Sequence, residues 1–329
     1  MRTQGLESAR NAEMQVLVEE YLALSQVDVD DALGLVRRSY DEERNAVAML
    51  PPFADHRAII RSTLEGLLTQ GIGIVAANGG QIVGFLGAWE VTDLFATQHG
   101  CYSPAFGHAV VADGRAALYH ELYCRAAALW VERSCTTHAV TIFANEADTR
   151  EAWFQLGFGM RCLDAIRSTA APEPIASPVT IRKVTSPRIA GLLRIHQEHH
   201  YYYRQAPLFM HREQIDPLLD IQQWLSQAEH HLWLAESEDG VVGYLRIEPK
   251  GENLLSRHPD MMNVTAAYVR PDCRRMGVGT ALLETALSWM RGSGYRLCGV
   301  DFESINVSAH RFWSKTFTPY ACTLVRRLD

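Results

Sequence analysis

The stretch Val269-Arg270-Pro271-Asp272-Cys273-Arg274-Arg275-Met276-Gly277-Val278-Gly279-Thr280 decides the fold of the second half of the chain. An apolar strand pattern runs into it and ends at Pro271, which cannot donate to a sheet ladder, and a helical period begins at Gly277. Gly277 and Gly279 carry no Cβ, so a ligand can approach their backbone closely. Free amides and the dipole at a helix start favour an anion. The stretch therefore predicts a phosphate-binding turn between a strand and a helix, to which Arg274 and Arg275 add positive charge.

The elements around this turn indicate a mixed α/β (α+β) domain with a mostly antiparallel sheet. Asp239-Gly240 is a strong hairpin signal between two apolar runs. Gly292 and Gly294 end the helix that follows the turn. The predicted strands are 179–183, 232–236, 241–247, 263–269 and 297–302, and the predicted helices are 187–203, 212–228, 277–291 and 307–315.

A repeat relates the two halves of the chain. Ile82-Val83-Gly84-Phe85-Leu86 matches Val241-Val242-Gly243-Tyr244-Leu245 at an offset of 159 residues, and the same offset places Trp153-Phe154 on Phe312-Trp313. Between the halves, 168–178 holds three prolines and small residues, which is typical of an extended linker. We predict a degenerate N-terminal domain at 1–171, a linker at 172–178 and a C-terminal domain of the same fold at 179–329.

Composition excludes several classes of protein. The 329 residues are 47% hydrophobic and 21% charged, as in ordinary globular proteins, and the net charge of −7 argues against broad nucleic-acid binding. The sequence contains no run of about 18 apolar residues, so we predict no membrane span. The start of the sequence is polar, so we predict no secretory signal. The seven cysteines form no C-x-x-C pair. That spacing argues against a zinc ribbon or a disulfide framework and favours the cytoplasm.

The pattern R-x-x-G-x-G after a V-x-P strand end resembles the acyl-CoA-binding motif of the GNAT acetyltransferase superfamily. The later segment from Asn306 to Phe317 is similar to the family's N-x-x-A-x-x-[FL]-Y-x-K-x-G-F pattern, with Trp313 in place of the tyrosine and Thr316 in place of the glycine. The resemblance implies two tandem GNAT-like domains, each a mixed, mostly antiparallel sheet flanked by helices, with acetyl-CoA as co-substrate. It implies these CoA-binding residues: Val269, Arg274, Arg275, Met276, Gly277, Val278, Gly279, Thr280, Asn306, Ala309, Phe312 and Trp313.

The phosphate-binding turn is predicted in one half only. At the offset of 159 residues, Gly277 falls on Leu118 and Gly279 falls on His120. Side chains at these positions keep a backbone away from a pyrophosphate. We therefore expect one acetyl-CoA site, in the C-terminal half.

The resemblance implies direct attack of an amine on the thioester, with a base, an acid and an oxyanion donor. The family's acid would be the tyrosine replaced by Trp313, so Tyr320 is the candidate acid. Thr265 stands where a family glutamate is common; Glu303 is the first candidate base, and Glu248 is the second. A backbone amide at Val269 or Arg270 would stabilise the oxyanion.

One further cluster lies in 196–204, which is rich in histidine and tyrosine. His196 and His200 have the i,i+4 spacing of helical metal ligands, but no third ligand is evident in the sequence, and we predict no metal. In the superfamily the first two helices wall the acceptor site. Aromatic rings on such a wall would suit a planar or cationic acceptor, whereas the simpler interpretation is a helix packed on the sheet with tyrosines at its rim.

The leading hypothesis is an N-acetyltransferase that acts on a primary amine of a small molecule in the C-terminal domain. The alternatives are a protein or peptide N-acetyltransferase and an acyl-CoA-binding sensor or interaction protein that has lost catalysis. We expect no nucleic-acid partner, no membrane partner and no metal. The oligomeric state is open.

Overall fold

The computed structural model describes residues 18–96, 98–170, 179–185, 190–210 and 216–328. The chain divides into two compact units, one of Met1–Arg161 with Tyr320–Asp329 and one of Cys162–Pro319. These units do not coincide with the predicted domains 1–171 and 179–329, because the last strand of each half belongs to the other unit. The predicted linker 172–178 lies outside the described residues.

The elements of both halves follow the same order along the chain, apart from one additional strand in the first half. They are β1 (Glu20–Ala23), α1 (Val29–Ala46), α2 (Phe53–Gln70), β2 (Ile72–Asn78), β3 (Gln81–Leu94), β4 (Gln98–Ser103), β5 (His108–Val110), α3 (Arg115–Glu132), β6 (Thr137–Phe143), α4 (Ala147–Gln155), β7 (Gly159–Ser168), β8 (Thr180–Lys183), α5 (Ala190–Tyr203), α6 (Pro217–Leu225), β9 (His231–Ser237), β10 (Gly240–Glu248), β11 (Met261–Val269), α7 (Val278–Gly292), β12 (Leu297–Glu303), α8 (Val307–Trp313) and β13 (Thr318–Arg327).

Each unit contains a mixed, mostly antiparallel sheet, as predicted. In the unit Cys162–Pro319 the order is β7-β12-β11-β10-β9-β8, and β11 with β12 is its parallel pair. In the other unit the order is β1-β2-β3-β4-β6-β13, with β5 beside β3, and β4 with β6 is the parallel pair. The shared pattern confirms that the two halves are copies of one fold.

The terminal strands are exchanged between the copies. β7 follows α4 in sequence, yet Cys162–Ser168 pairs with β12. β13 follows α8, yet Ala321–Arg327 pairs with β6. Strands that pair far from their sequence neighbours leave no local signal, which is why the predicted boundaries differ from the observed units.

Helices cover both faces of the second unit's sheet. On one face, Leu192 and Ile195 of α5 and Ile221 of α6 pack in a core cluster with Tyr244 and Tyr268. On the other face, α7 approaches so closely that a Cβ on Gly243 would lie 3.3 Å from Leu282. Among the described helices, none combines the length and the apolar composition that a membrane crossing requires.

The exchange predicts where the chain can be cut. A fragment of residues 179–329 lacks β7 and leaves one edge of β12 unpaired, whereas 162–319 keeps all six strands of its sheet. Unpaired strand edges expose amides and apolar surface, so we expect a cooperative thermal transition from 162–319 and none from 179–329. Circular dichroism during heating measures it, and equal transitions of the two fragments would contradict the exchange.

Candidate active site

The glycine turn lies at the surface of the unit Cys162–Pro319 and opens directly into α7. Gly277 is the N-cap residue of α7 with φ of +85°, a left-handed conformation that favours glycine, and as a glycine it provides no side-chain cap to the helix. The first amides of α7 therefore remain available to an anion. Arg275 also has a positive φ, +65°, and Met276 is 59% exposed. The backbone thus forms an open turn that carries two arginines, and phosphate binding there stays a prediction.

The second glycine of the turn has a packing role. A Cβ on Gly279 would lie 3.3 Å from Cε2 of Phe312 and 3.8 Å from Cγ2 of Val269. This contact brings α7, α8 and the end of β11 together. Val278 is buried in the first turn of α7, and Thr280, Ala309 and Phe312 are half-buried around it.

The two arginines of the turn have different surroundings. Arg274 donates from Nε to the carbonyl of Val269 at 2.9 Å and from Nη1 to Oγ of Ser308 at 3.5 Å, and its guanidinium lies 4.7 Å from the ring centre of Tyr202. Arg274 thus holds the end of β11 in place. Arg275 is exposed at the surface of the turn.

The parallel strands β11 and β12 separate beside the turn. They pair from Met261–Leu297 to Val264–Val300, and beyond that point β11 continues to Val269 while β12 continues to Glu303. The amide of Arg270 donates to the carbonyl of Val242 in β10 at 2.9 Å. Because successive amides of a strand point to opposite sides, the amide of Val269 faces the opened gap. Of the two predicted oxyanion donors, Val269 has the suitable direction and Arg270 does not.

Carboxyl groups line β12 and its exchanged neighbour. Glu303 ends β12 opposite Cys162, and Asp301 lies directly opposite Asp164 of β7. Burial raises the pKa of Asp164 to about 7. Burial, followed by the charges of Asp164, Glu252 and Glu303, raises the pKa of Asp301 well above its usual value. Sequence reasoning found Glu303 but missed Asp164 and Asp301, because the exchange that pairs them is invisible in the local pattern.

The end of α5 contacts the candidate base. Tyr203 donates from its hydroxyl to Oε2 of Glu303 at 3.3 Å, and Tyr202 donates to Oδ1 of Asn306 at 3.0 Å. His199 lies within 2.7 Å of the hydroxyl of Tyr244 through Nδ1. The tyrosines therefore make specific hydrogen bonds, beyond packing at the rim of a helix.

The structure gives the histidine pair of α5 a third potential ligand. Donor atoms of His196, His200 and Asp220 lie within 4.8 Å of one another, and Nε2 of His196 is 3.0 Å from Oδ2 of Asp220. Asp220 comes from α6, so spacing in the sequence did not reveal it. The hydrogen bond from His196 and the charge of Arg246, whose Nη1 is 3.8 Å away, lower the pKa of Asp220. The arrangement is an ion network that joins α5 to α6.

The family segment on α8 is mainly structural. Asn306 caps α8 by accepting from the amide of Ala309 at 3.2 Å. Trp313, in the position of the family tyrosine, is 5% exposed and packs against Phe312 and Phe317 with ring centres 4.7 Å and 5.3 Å away. The predicted CoA contacts of Asn306 and Trp313 stay predictions, and the indole offers no phenol at this position.

The other predicted proton-transfer residues are less favourably placed. Tyr320 belongs to the unit of Met1–Arg161 and is 2% exposed, with its carbonyl accepting from the amide of Ala144 at 3.1 Å. Burial in that unit leaves its role as the acid without structural support. Glu248 is held by Nε1 of Trp224 at 3.4 Å and by Nε2 of His230 at 3.3 Å.

The corresponding helix of the other unit also begins at a left-handed glycine. Gly114 is the N-cap of α3 with φ of +65°. The structural counterpart of Gly277 is therefore Gly114, and the sequence register that paired Gly277 with Leu118 is wrong here. The surroundings differ in charge, because Arg115 is paired with Glu42 at 2.7 Å and with Glu146 at 3.5 Å. Carboxylates beside the start of α3 disfavour binding of a phosphate. The prediction of a single acetyl-CoA site therefore depends on this difference in charge between the two helix starts.

Comparisons with known proteins agree with this geometry. The model of the acetyltransferase (GNAT) family matches residues 192–317, within the second unit. Aminoglycoside N(6')-acetyltransferase type 1 of Stenotrophomonas maltophilia is 29% identical over 138 residues, which cover 41% of this chain and 83% of that protein. N-acetyltransferase 8 of Homo sapiens is 29% identical over 108 residues, which cover 31% of this chain and 47% of that protein.

The similarity of fold extends over both halves. A crystal structure of a GCN5-related N-acetyltransferase from Sphaerobacter thermophilus superposes with a TM-score of 0.60 at 16% identity, covering 94% of this chain and 96% of that one. At this identity the likeness shows a shared fold. The match to the GNAT family model therefore lies in the second half of the chain, whereas the likeness of fold to the Sphaerobacter thermophilus protein extends over both halves.

Proposed function

We propose that the unit Cys162–Pro319 transfers an acetyl group from acetyl-CoA to a primary amine of a small molecule. The observation that carries the proposal is the gap between β11 and β12, into which the amide of Val269 points directly before the glycine turn. The residues present fit acetyl-CoA, since the uncapped start of α7 and Arg275 would hold its phosphates. Bound there, acetyl-CoA would supply an activated thioester.

The chain's own groups would then orient the reaction and take the proton. The amide of Val269 faces the gap where a carbonyl oxygen would gain charge. Glu303 ends the strand on the opposite side of the gap and accepts a hydrogen bond from Tyr203. We assign Glu303 as the base that takes the proton of the attacking amine, directly or through water.

The charge around Glu303 favours an acceptor with more than one amino group. Asp164, Glu252 and Glu303 each lie close enough to Asp301 for their charges to raise the pKa of its carboxyl group. A cationic amine would relieve the repulsion between them. The aminoglycoside acetyltransferase among the relatives supports an acceptor of this class, a small polycationic amine.

The proposal is tested by release of free CoA from acetyl-CoA with a panel of acceptors. We expect turnover with polyamino sugars and linear polyamines, and little with neutral monoamines or with peptides bearing one free N-terminus. Preference for the peptides would favour the protein N-acetyltransferase instead.

A second candidate function follows from the loss of the tyrosine at Trp313, which leaves no phenol at the family's acid position. A chain that has lost catalysis would bind acetyl-CoA as a sensor. Tight binding of acetyl-CoA measured by calorimetry, without CoA release for any acceptor of the panel, would establish this alternative.

The buried carboxyl of Asp164 is expected to lower the stability of the protein and to favour binding of a cationic acceptor. Burial raises the pKa of this carboxyl from 3.8 to about 7. The protonated carboxyl therefore contributes its full stabilisation of the folded state below pH 3.8, and this stabilisation is lost as the carboxyl ionises and the pH rises through 7. We expect Asp164→Asn to stabilise the protein by about 2 kcal/mol at pH 8, which raises Tm by about 4–8 °C, and to have little effect at pH 4. The same change should raise KM for a polyamine about 10-fold, the loss of one charge pair.

Thermal unfolding at both pH values and steady-state kinetics measure these effects. Asp239→Asn, at an exposed hairpin turn of the same unit, is the matched control and should change neither Tm nor KM. A Tm gain of equal size at pH 4 and pH 8 would exclude ionisation of Asp164 as the cause.

A further inference from the structure

Four potential metal ligands converge in the unit of Met1–Arg161, far in sequence from the residues that the proposed reaction uses. Glu90 of β3 is the cross-strand partner of Cys101 of β4, so their side chains lie on one face of the sheet. His99 precedes Cys101 by two residues and shares that face. Cys135 comes from the turn between α3 and β6.

The donor atoms of three of these residues lie at distances that suit one cation. Nε2 of His99 is 2.9 Å from Oε1 of Glu90 and 4.0 Å from Sγ of Cys135, and the donors of these three residues all lie within 4.8 Å of one another. The thiol of Cys101 is in hydrogen-bonding contact with the thiol of Cys135. Ligand atoms around a tetrahedral zinc ion are about 3–4 Å apart, given bond lengths of about 2.0–2.3 Å.

The backbone fixes the cluster before any ion binds. Cys101 and Cys135 are fully buried, and both are free thiols. Cys135 follows Ser134, which has φ of +62°, and its amide donates to the carbonyl of Trp130 at 3.1 Å. Glu90 and His99 are about one-third exposed, so an ion could enter from their side.

We propose that Glu90, His99, Cys101 and Cys135 bind a divalent zinc ion. Thiolate, imidazole and carboxylate are the donors that zinc takes in proteins. Binding would release the two thiol protons to solvent, and the two thiolates and Glu90 would then outweigh the charge of the ion by one. The guanidinium of Arg133, 3.7 Å from Glu90, would balance that excess.

This proposal departs from the sequence prediction of no metal, which rested on the absence of a C-x-x-C pair and of a third ligand beside His196 and His200. Strand pairing brings these ligands together, and their spacing along the chain does not reveal it. The other histidine cluster, His196 with His200 and Asp220, is a weaker candidate because it lacks a thiol. In addition, the guanidinium of Arg246 lies over the ring of Trp224 and already pairs with Asp220, so that carboxylate has a cationic partner.

The test is an anaerobic titration of the reduced, metal-free full chain with Co²⁺, followed by Zn²⁺. We expect a near-ultraviolet thiolate-to-cobalt charge-transfer band and the visible bands of a tetrahedral site, both saturating at one Co²⁺ per chain and both removed by Zn²⁺. Cys135→Ser should abolish the charge-transfer band or shift it strongly. Cys124→Ser, at an exposed thiol on α3, is the matched control and should leave it unchanged.

Two more variants keep the test decisive if Cys135→Ser unfolds. His99→Gln and Glu90→Gln change partly exposed ligands and should weaken Co²⁺ binding at least about 10-fold, with an unchanged circular dichroism spectrum. His200→Ala should leave the bands intact. Absence of the charge-transfer band in the wild type, its persistence in Cys135→Ser, or its loss in Cys124→Ser or His200→Ala would overturn the proposal.

Discussion

Replacing Gly277 with valine is expected to weaken acetyl-CoA binding about 100-fold, which corresponds to about 3 kcal/mol. Gly277 has φ of +85° at the N-cap of α7, and a β-branched residue is a strong outlier in that conformation. The turn must either bear about 1–3 kcal/mol of strain or reorient the amides that would face the phosphates. Hydrogen bonds to a charged group contribute about 1.5–3 kcal/mol each, so misalignment of two of them accounts for the loss.

Isothermal titration calorimetry with acetyl-CoA measures this effect directly. Gly292→Val is the matched control, because Gly292 ends the same helix and nothing lies within 4 Å of a Cβ placed there. We expect its affinity to stay within about 2-fold of the wild type, a few tenths of a kcal/mol. Equal losses in the two variants would show that the helix as a whole, and not the turn, determines binding.

Glu303→Gln is expected to lower kcat/KM about 100-fold, within the range of about 10²–10⁴ that a positioned base contributes. The amide keeps the size of the side chain and can still accept the hydrogen bond from Tyr203, so acetyl-CoA affinity should not change. The acidic limb of the pH profile of kcat/KM, which reports protonation of the base, should disappear. An unchanged profile would rule out Glu303 as the base.

Two further substitutions separate Glu303 from its neighbours. Glu238→Gln, at an exposed position of the same unit, controls for the change in net charge and should leave kcat/KM unaltered. Glu248→Gln tests the second candidate, which Trp224 and His230 already hold. A larger loss in Glu248→Gln than in Glu303→Gln would transfer the role to Glu248.

Much of the second half could be predicted because its signals are local. Pro271, Gly277 and the apolar period of α7 fix a strand, a turn and a helix within 24 consecutive residues, from Val269 to Gly292. The observed bounds of β10 and β12 lie within about two residues of the predictions, as is usual for element ends. The direction of the Val269 amide follows from strand pairing and required the structure.

The features that sequence reasoning missed all depend on contacts between distant residues. A constant offset paired Gly277 with Leu118, but the loop before α3 differs in length, and Gly114 takes the left-handed position. Asp220 reaches His196 from another helix. Asp164 reaches Asp301 through the exchanged strand. No periodicity within one segment encodes such contacts.

The exchanged strands also bear on how this gene can change. Asp164 and the rest of β7 are encoded in the first repeat, yet they complete the sheet and the acidic lining of the unit that carries the proposed reaction. Natural selection on that reaction therefore also acts on residues of the first repeat. A deletion of the first copy would remove a strand and a carboxyl group from the second unit, so recombination could not discard the first copy without loss to the second.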